Sequence, residues 1–274
     1  MLLPLVSLSA SQDRTRPGAL IQRRFRCLLL LVLAALLSAC AGYSPKVALQ
    51  TGALQPGQTI TLVRPAEVKV YKLHAMHPAM ALGMVGRLAA LAHMENRAEE
   101  MRQLMLGQKM AAHEVLVDVL ARELTQAGFK VRLHSASWRE DKWGQPEPDL
   151  AGLRAAHPRV LVVVPGLVGF WSRGMNGNYQ PAVRLRATLY GPDRSKPLYD
   201  GHHATGLALG SQDWIDVPSG GEGYTTFGAL LAQPSATAAS LKYSLALVAR
   251  SVVRDLTAPA PVPRSGRSPV RTGN

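Results

Sequence analysis

The stretch AAHEVLVDVLARELTQAGFKVRL, residues 111–133, decides the fold. Val115, Leu116, Val119, Leu120 and Leu124 recur at i, i+1, i+4, i+5 and i+9, which is one face of an α-helix. Glu114, Asp118 and Arg122 stand elsewhere on it. Gly128 follows where a glycine in the left-handed region ends a helix. Phe129–Leu133 then alternates with period two, the mark of a strand. A helix, a glycine and a strand in so short a span form a compact α/β unit. Each leaves an apolar face that the rest of the chain must cover.

Working outward, Thr59–Val63 and Glu67–Leu73 are β-rich, with Pro65 blocking one continuous central strand. Val160–Val164 is a short, wholly apolar run and predicts a central strand covered on both faces. Val183, Leu185, Ala187 and Leu189 alternate with Arg184, Arg186, Thr188 and Tyr190; a turn at 191–196 sends Leu198–Thr205 back as the partner strand. Leu241, Leu245, Val248 and Val252 stripe a last helix at 235–256, with Ser235 after Pro234 as its expected cap. These elements predict an α+β fold: a single mixed β-sheet with helices packed on it. Leu120 and Leu245 are expected in its core.

Four segments resist this pattern. Ser135–Pro148, Pro165–Gln180 and Gly206–Gln233 are rich in glycine or polar residues and read as loops, and Asp149 is expected to cap a short helix to Ala156. Ala79–Ala92 is apolar all round, with Arg87 its single charge, before a charged run from Met94 to Met110. Such a helix is buried, or lies against lipid or a partner. We read it as core, with a membrane- or oligomer-contacting surface as the alternative.

The amino-terminal part has a different logic. Arg23, Arg24 and Arg26 precede an apolar run from Cys27 to Leu37, and Ser38-Ala39-Cys40 follows. A basic head, a short apolar run and small residues predict a secretory signal peptide over 1–39, cleaved between Ala39 and Cys40. The run is far shorter than the ~20 residues a membrane-spanning helix needs. Met1–Gln22 is a long prelude for such a signal; either its basic region is extended or translation starts downstream. Residues 40–57, with Gly42, Pro45, Gly52, Pro56 and Gly57, are expected to tether a domain spanning 58–257, and 258–274 is a basic, Pro-rich tail expected to be disordered.

The chain carries 31 basic and 18 acidic residues. Losing Arg14, Arg16, Arg23, Arg24, Arg26 and Asp13 with the leader leaves a net charge of +9 over 235 residues. A basic surface suits anionic lipid headgroups or acidic envelope polymers. Both cysteines, Cys27 and Cys40, stand at or before the expected cleavage site. The domain must therefore fold on its core without disulfides.

No constellation of reactive groups stands out. His74 and His77 are followed at once by Pro78 and have no third ligand at metal spacing. His202 and His203 would point to opposite faces of a strand and cannot chelate together. Ser172, Ser211 and Ser219 lie in glycine-rich surroundings but outside a G-x-S-x-G turn, and Gly220-Gly221-Glu222-Gly223 lacks the flanks of a phosphate loop. We assign no catalytic residue, metal or cofactor and read the chain as a non-enzyme. Trp138, Trp143, Trp171 and Trp214 all fall in the expected loops. They are the candidate partner surface; the alternative is that they plug one end of the core.

Leu37-Ser38-Ala39-Cys40 resembles the lipobox of bacterial lipoproteins. That resemblance implies lipid on Cys40, and Ala41 after it favours the outer membrane. The order of segments, through Ala127-Gly128-Phe129, the β-hairpin, the aromatic stretch Tyr224–Leu231 and the final helix, resembles uncharacterised proteobacterial outer-membrane lipoproteins over residues 36–257. It is similar to accessory lipoproteins of envelope machines, such as the lipopolysaccharide-assembly lipoprotein and the amino-terminal domain of the Tol translocation protein. The resemblance implies a lipid-anchored, periplasm-facing accessory module bound to outer-membrane lipid through Cys40 and to an envelope protein or to itself. Nucleic acid is not an expected partner. The rivals are a lipid-anchored hydrolase, which a cleft joining Ser, His and a carboxylate would favour, and a self-assembling lipoprotein using Ala79–Ala92.

Overall fold

The computed structural model describes residues 46–49, 52–75, 79, 83–141, 146–150, 153, 158–174, 177–193, 196–207, 214–220 and 223–258. All belong to the unit Pro45–Asn274. The signal segment, Ala39, Cys40, Trp143, residues 151–152 and 154–157 of the expected helix to Ala156, and the tail from 259 lie outside the described residues; Asp149, Leu150 and Leu153 of that helix are described and are not helical. The elements begin with β1 (Thr59–Val63), β2 (Lys72–His74), α1 (Gly83–Gly107), α2 (Ala112–Gln126) and β3 (Lys130–His134). There follow β4 (Trp138–Glu140), β5 (Pro146–Pro148), β6 (Val160–Gly174), β7 (Gly177–Tyr190) and β8 (Pro197–Thr205). The last are β9 (Trp214–Val217), α3 (Phe227–Ala232) and α4 (Pro234–Thr257).

Seven strands form one mixed sheet in the order β3-β1-β6-β7-β8-β9, with β2 also on β6. β3, β1 and β6 run parallel, β6-β7-β8 is an antiparallel meander, and β9 runs parallel to β8. β1 and β2 share one side of β6: β1 pairs at Val160–Leu161 and β2 at Gly169–Trp171. The α+β class and the single main sheet are as expected.

Helices cover one face. Ile60 and Leu62 of β1, Leu161 and Val163 of β6, and Val183, Leu185, Ala187 and Leu189 of β7 point into it and are buried. Against them α2 lays Leu116, Leu120 and Leu124, and α4 lays Leu241, Leu245, Val248 and Val252, all fully buried. The helical stripes end where the sequence ends them. Gly128 has φ +88°, and the Phe129 amide donates to Leu124 O at 3.0 Å. Val115 is only part-buried while Val117 is buried, so the α2 stripe is turned slightly from the expected one. Ser235 does not cap α4; Gln233 holds that position, Pro234 opens the helix, and Ser235 Oγ donates to Gln108 Oε1 at 3.1 Å.

The three expected loops all contain regular structure, and one of them is largely strand. Pro165–Gln180 continues β6 and β7 far beyond Val164 into a long hairpin. Pro165 stands at a register shift before Leu167, where its missing amide breaks no ladder. Gly169 is required for another reason: a Cβ there would collide with the backbone of Lys72, so only glycine lets β2 lie against β6. Gly206–Gln233 likewise contains β9 and α3. Within Ser135–Pro148, β4 and β5 pair as a two-stranded sheet.

The segment read as a tether makes contacts. Val47 exchanges backbone hydrogen bonds with Asp200 at 2.9 and 3.0 Å, and Leu49 and Leu54 pack against the core. The apolar segment at 79–92 is not the buried helix expected. Its described part opens α1, where Met84, Val85, Leu88 and Leu91 are 80, 80, 64 and 51% exposed. The core is filled by the later turns of α1 instead, through Met101 and Met105, both fully buried.

Candidate functional site

The tryptophans were expected in loops, and the described ones are not. Trp138 opens β4, Trp171 is inside β6 and Trp214 opens β9. The alternation of the sheet nonetheless gathers them on one side. Val160, Val162 and Val164 of β6 turn away from the helices and pack with Trp138 and Tyr190. Beyond the register shift, Leu167 and Trp171 continue that face and pack with Ala182, Ala204, Leu207 and Trp214. All three side chains are part-buried.

Each ring is held. Trp138 Nε1 donates to Arg64 O at 3.1 Å. Trp171 stacks on His74, ring centroids 3.7 Å apart and planes 19° apart. Partial burial lowers the His74 pKa, so the stacked imidazole is neutral near pH 7. Trp214 lies directly across from His202 in the β8–β9 ladder, ring to ring at 5.0 Å. The Arg184 guanidinium sits 4.3 Å from the Trp214 centroid, a cation–π contact. Arg184 Nε is buried and has no hydrogen-bond partner among the described residues. Beside it, Arg186 grips Asp200 with two hydrogen bonds of 2.9 and 2.6 Å, and Asp200 is 2% exposed. This fork fixes the guanidinium in the middle of the face. The result is an aromatic and cationic surface on a rigid sheet, with Trp138 at one end and Trp171 and Trp214 at the other.

On the helix-covered face a second polar group is buried. Tyr199 OH donates to Asp255 Oδ2 at 2.8 Å and lies 2.7 Å from His203 Nε2; His203 Nδ1 lies 3.0 Å from Ser251 Oγ. With the tyrosine proton given to Asp255, His203 Nε2 donates to Tyr199, and Nδ1 accepts from Ser251. Lys46 Nζ closes the chain on Asp255 at 3.4 Å. Ser251, Arg254 and Asp255 line a cleft of about 310 Å³ with Ile215, Asp216, Val217, Pro218 and Ala258. His202 and His203 do face opposite sides of β8, as their adjacency requires. This network was not read from the sequence. The visible signal was Tyr199 and His203, which share a face of one strand; their partners stand some fifty residues on.

This cleft joins a serine and a carboxylate, with a histidine behind. It is ill-suited to acyl transfer. Burial pushes the His203 pKa down to about 4, far below the value near 7 that suits a general base. Ser251 also sits inside helix α4, where its side chain is 4% exposed and its amide belongs to the helix ladder. The arrangement satisfies buried polar groups and pins the start of the described chain, at Lys46, to α4.

Among the described residues no group of three or more His, Cys, Asp or Glu could hold a metal ion. No described helix is long and apolar enough to cross a membrane. The molecule is an α+β module built on one main mixed sheet, with a small β4–β5 sheet beside it, and it carries an aromatic, cationic sheet face. No family model and no curated protein matches the chain. Among solved structures it is similar to protein XCC0632 from Xanthomonas campestris, of DUF330: 9% identity, 77% of this chain, 91% of that chain, TM-score 0.38. It is also similar to hypothetical protein CT253 from Chlamydia trachomatis: 11% identity, 74% of this chain, 99% of that chain, TM-score 0.31. Both are distant likenesses, below the level that bears on fold or function.

Proposed function

We propose that the protein is a lipid-anchored accessory module of the bacterial outer membrane, facing the periplasm, which holds an envelope protein partner on the tryptophan face of its sheet. The observation that carries this reading is the convergence of Trp138, Trp171 and Trp214 on one face, around Arg184 and Arg186. Tryptophan and arginine are the residues that concentrate binding energy at protein interfaces. Their positions here are set by strand register and by stacked or bidentate contacts, so little freedom is lost when a partner docks. Lipid on Cys40 and the outer-membrane address rest on the lipobox resemblance.

The test is a crosslinked pull-down from membranes with the full chain and with a Trp171→Ala/Trp214→Ala double variant. The wild-type chain is expected to retain a discrete envelope protein and the folded double variant to lose it. Equal capture by both would remove the sheet face from the account.

A further inference from the structure

We infer that the opening turns of α1 insert into one leaflet of a lipid bilayer. This rests on the lipid-anchor reading and adds a second, non-covalent membrane contact to it.

The apolar residues of α1 are gathered along its axis, in its opening turns, rather than around it. Residues 83–92 hold no acidic residue and Arg87 as their only charge; Glu95, Arg97, Glu99, Glu100 and Arg102 follow within ten positions. A helix resting on a protein would show its apolar stripe along its whole length. In the opening turns Met84 and Val85 are 80% exposed, Leu88 64% and Leu91 51%, while Gly86 and Ala90 on the other side are buried. One apolar side of this end of the helix is open to solvent. Ten residues of helix are about 15 Å long, close to half of the ~30 Å hydrocarbon core. The segment is too short to cross a bilayer and long enough to enter one leaflet.

The fold places this tip at one end of the sheet. Met110 O accepts from Tyr71 OH beside β2, while Arg97 Nη1 donates to Tyr179 OH, near the Gly174–Gly177 tip of the β6–β7 hairpin. Followed back from Met110 to Arg97, the helix therefore leads toward that hairpin tip, and its first turns lie further along. The described start of the domain points the same way. Val47 pairs antiparallel with Asp200, so Val47 to Lys46 points in the direction in which β8 runs, toward the hairpin end. Cys40 stands six positions before Lys46 and can be no more than about 20 Å from it. A bilayer holding acyl chains on Cys40 is within reach of this end of the domain. Exposed apolar side chains of this kind, left in water, are the mark of a membrane or protein contact.

The experiment uses the chain from residue 40 onward with Cys40→Ser, which lacks the apolar run of the leader and cannot be acylated, mixed with phosphatidylethanolamine/phosphatidylglycerol vesicles and floated on a density gradient. The unacylated chain is expected to float, and its Val85→Asp/Leu88→Asp variant to lose at least tenfold of the floating fraction while its unfolding midpoint is unchanged. An environment-sensitive fluorophore on Met84→Cys should shift to the blue with vesicles, and the same probe on Leu106→Cys, also exposed on α1, should not. Flotation that survives both aspartates, or a Met84 probe indifferent to vesicles, overturns the inference. So does a vesicle-independent oligomer that the aspartates dissolve, since the occupant is then a second copy. These outcomes are read without acylation, so they stay distinct from a failure to find lipid on Cys40.

Discussion

The Tyr199 hydroxyl and the His203 Nε2 atom lie 2.7 Å apart, four residues along one strand. The contact exists because the residue between them on that face is Gly201. A Cβ at Gly201 would collide with the Tyr199 hydroxyl and ring carbons, so the missing methyl is the space in which the ring lies. The buried hydroxyl can then reach both His203 and Asp255.

Gly201→Ala should therefore displace the Tyr199 ring and strand two buried polar groups at once, the Tyr199 hydroxyl and His203 Nε2. Leaving a buried donor or acceptor unsatisfied costs about 1–3 kcal/mol each. The expected loss of stability is several times that of Gly191→Ala, where the added methyl meets only flexible atoms of Leu198 at 3.4 Å or more. Urea unfolding of the two variants measures the difference.

His203 gives the fold a pH dependence of known sign. Its pKa is lowered from 6.5 to about 4, chiefly by burial, so the native state holds it neutral while the unfolded chain protonates it near 6.5. The stabilisation is complete above pH 6.5 and is lost as pH falls from 6.5 toward 4. Its size is on the order of 3 kcal/mol. A His203→Gln variant should be less stable at pH 7.5, yet lose less of its stability than the wild type between pH 7 and 4.5. Parallel stability–pH curves would remove His203 as the source.

The two central helices should be held by Leu120 and Leu245, which are both fully buried in one core cluster. Truncation to alanine should cost ~2–5 kcal/mol at each position. Val85→Ala, on the exposed start of α1, should change stability by less than ~0.5 kcal/mol. Chemical denaturation curves of the three variants provide the ranking.

Lipid on Cys40 is checked by the intact mass of the mature protein. The expected mass starts at Cys40 and includes a diacylglycerol with or without a further acyl chain; Cys40→Ser should abolish all of it. A mature chain without lipid would remove the covalent anchor from the account and leave only the contact proposed for α1, and stable anchoring needs two chains or a second contact.

The parts of this fold that the sequence displays are those whose side chains obey one period. α2, β7 and the stripe of α4 each turn an apolar face to the core and a more polar one away, so those faces are written at 3.6 or 2 residues, whereas β8 is buried on both faces and β3 leaves Leu133 exposed. The central strand β6 was visible only to Val164, because its second half carries Pro165, Gly166 and Gly169, residues that normally announce loops. Gly169 serves instead the close approach of β2, a contact with a segment nearly a hundred positions away. The tryptophans were singled out for their type, but their common face depends on register, which local pattern does not contain. The first turns of α1 misled for a related reason. An unbroken apolar run states that surface must be hidden and not what hides it.

The central claim is that the tryptophan face receives a partner. A photo-crosslinker placed at Gln180, paired with Trp171 in the β6–β7 ladder, tests it in intact membranes against one placed at Tyr243, exposed on α4. The account predicts a discrete protein adduct from position 180, lost in the Trp171→Ala/Trp214→Ala background, and none from position 243. Adducts from position 243 alone, or none from position 180 at native expression, would contradict it.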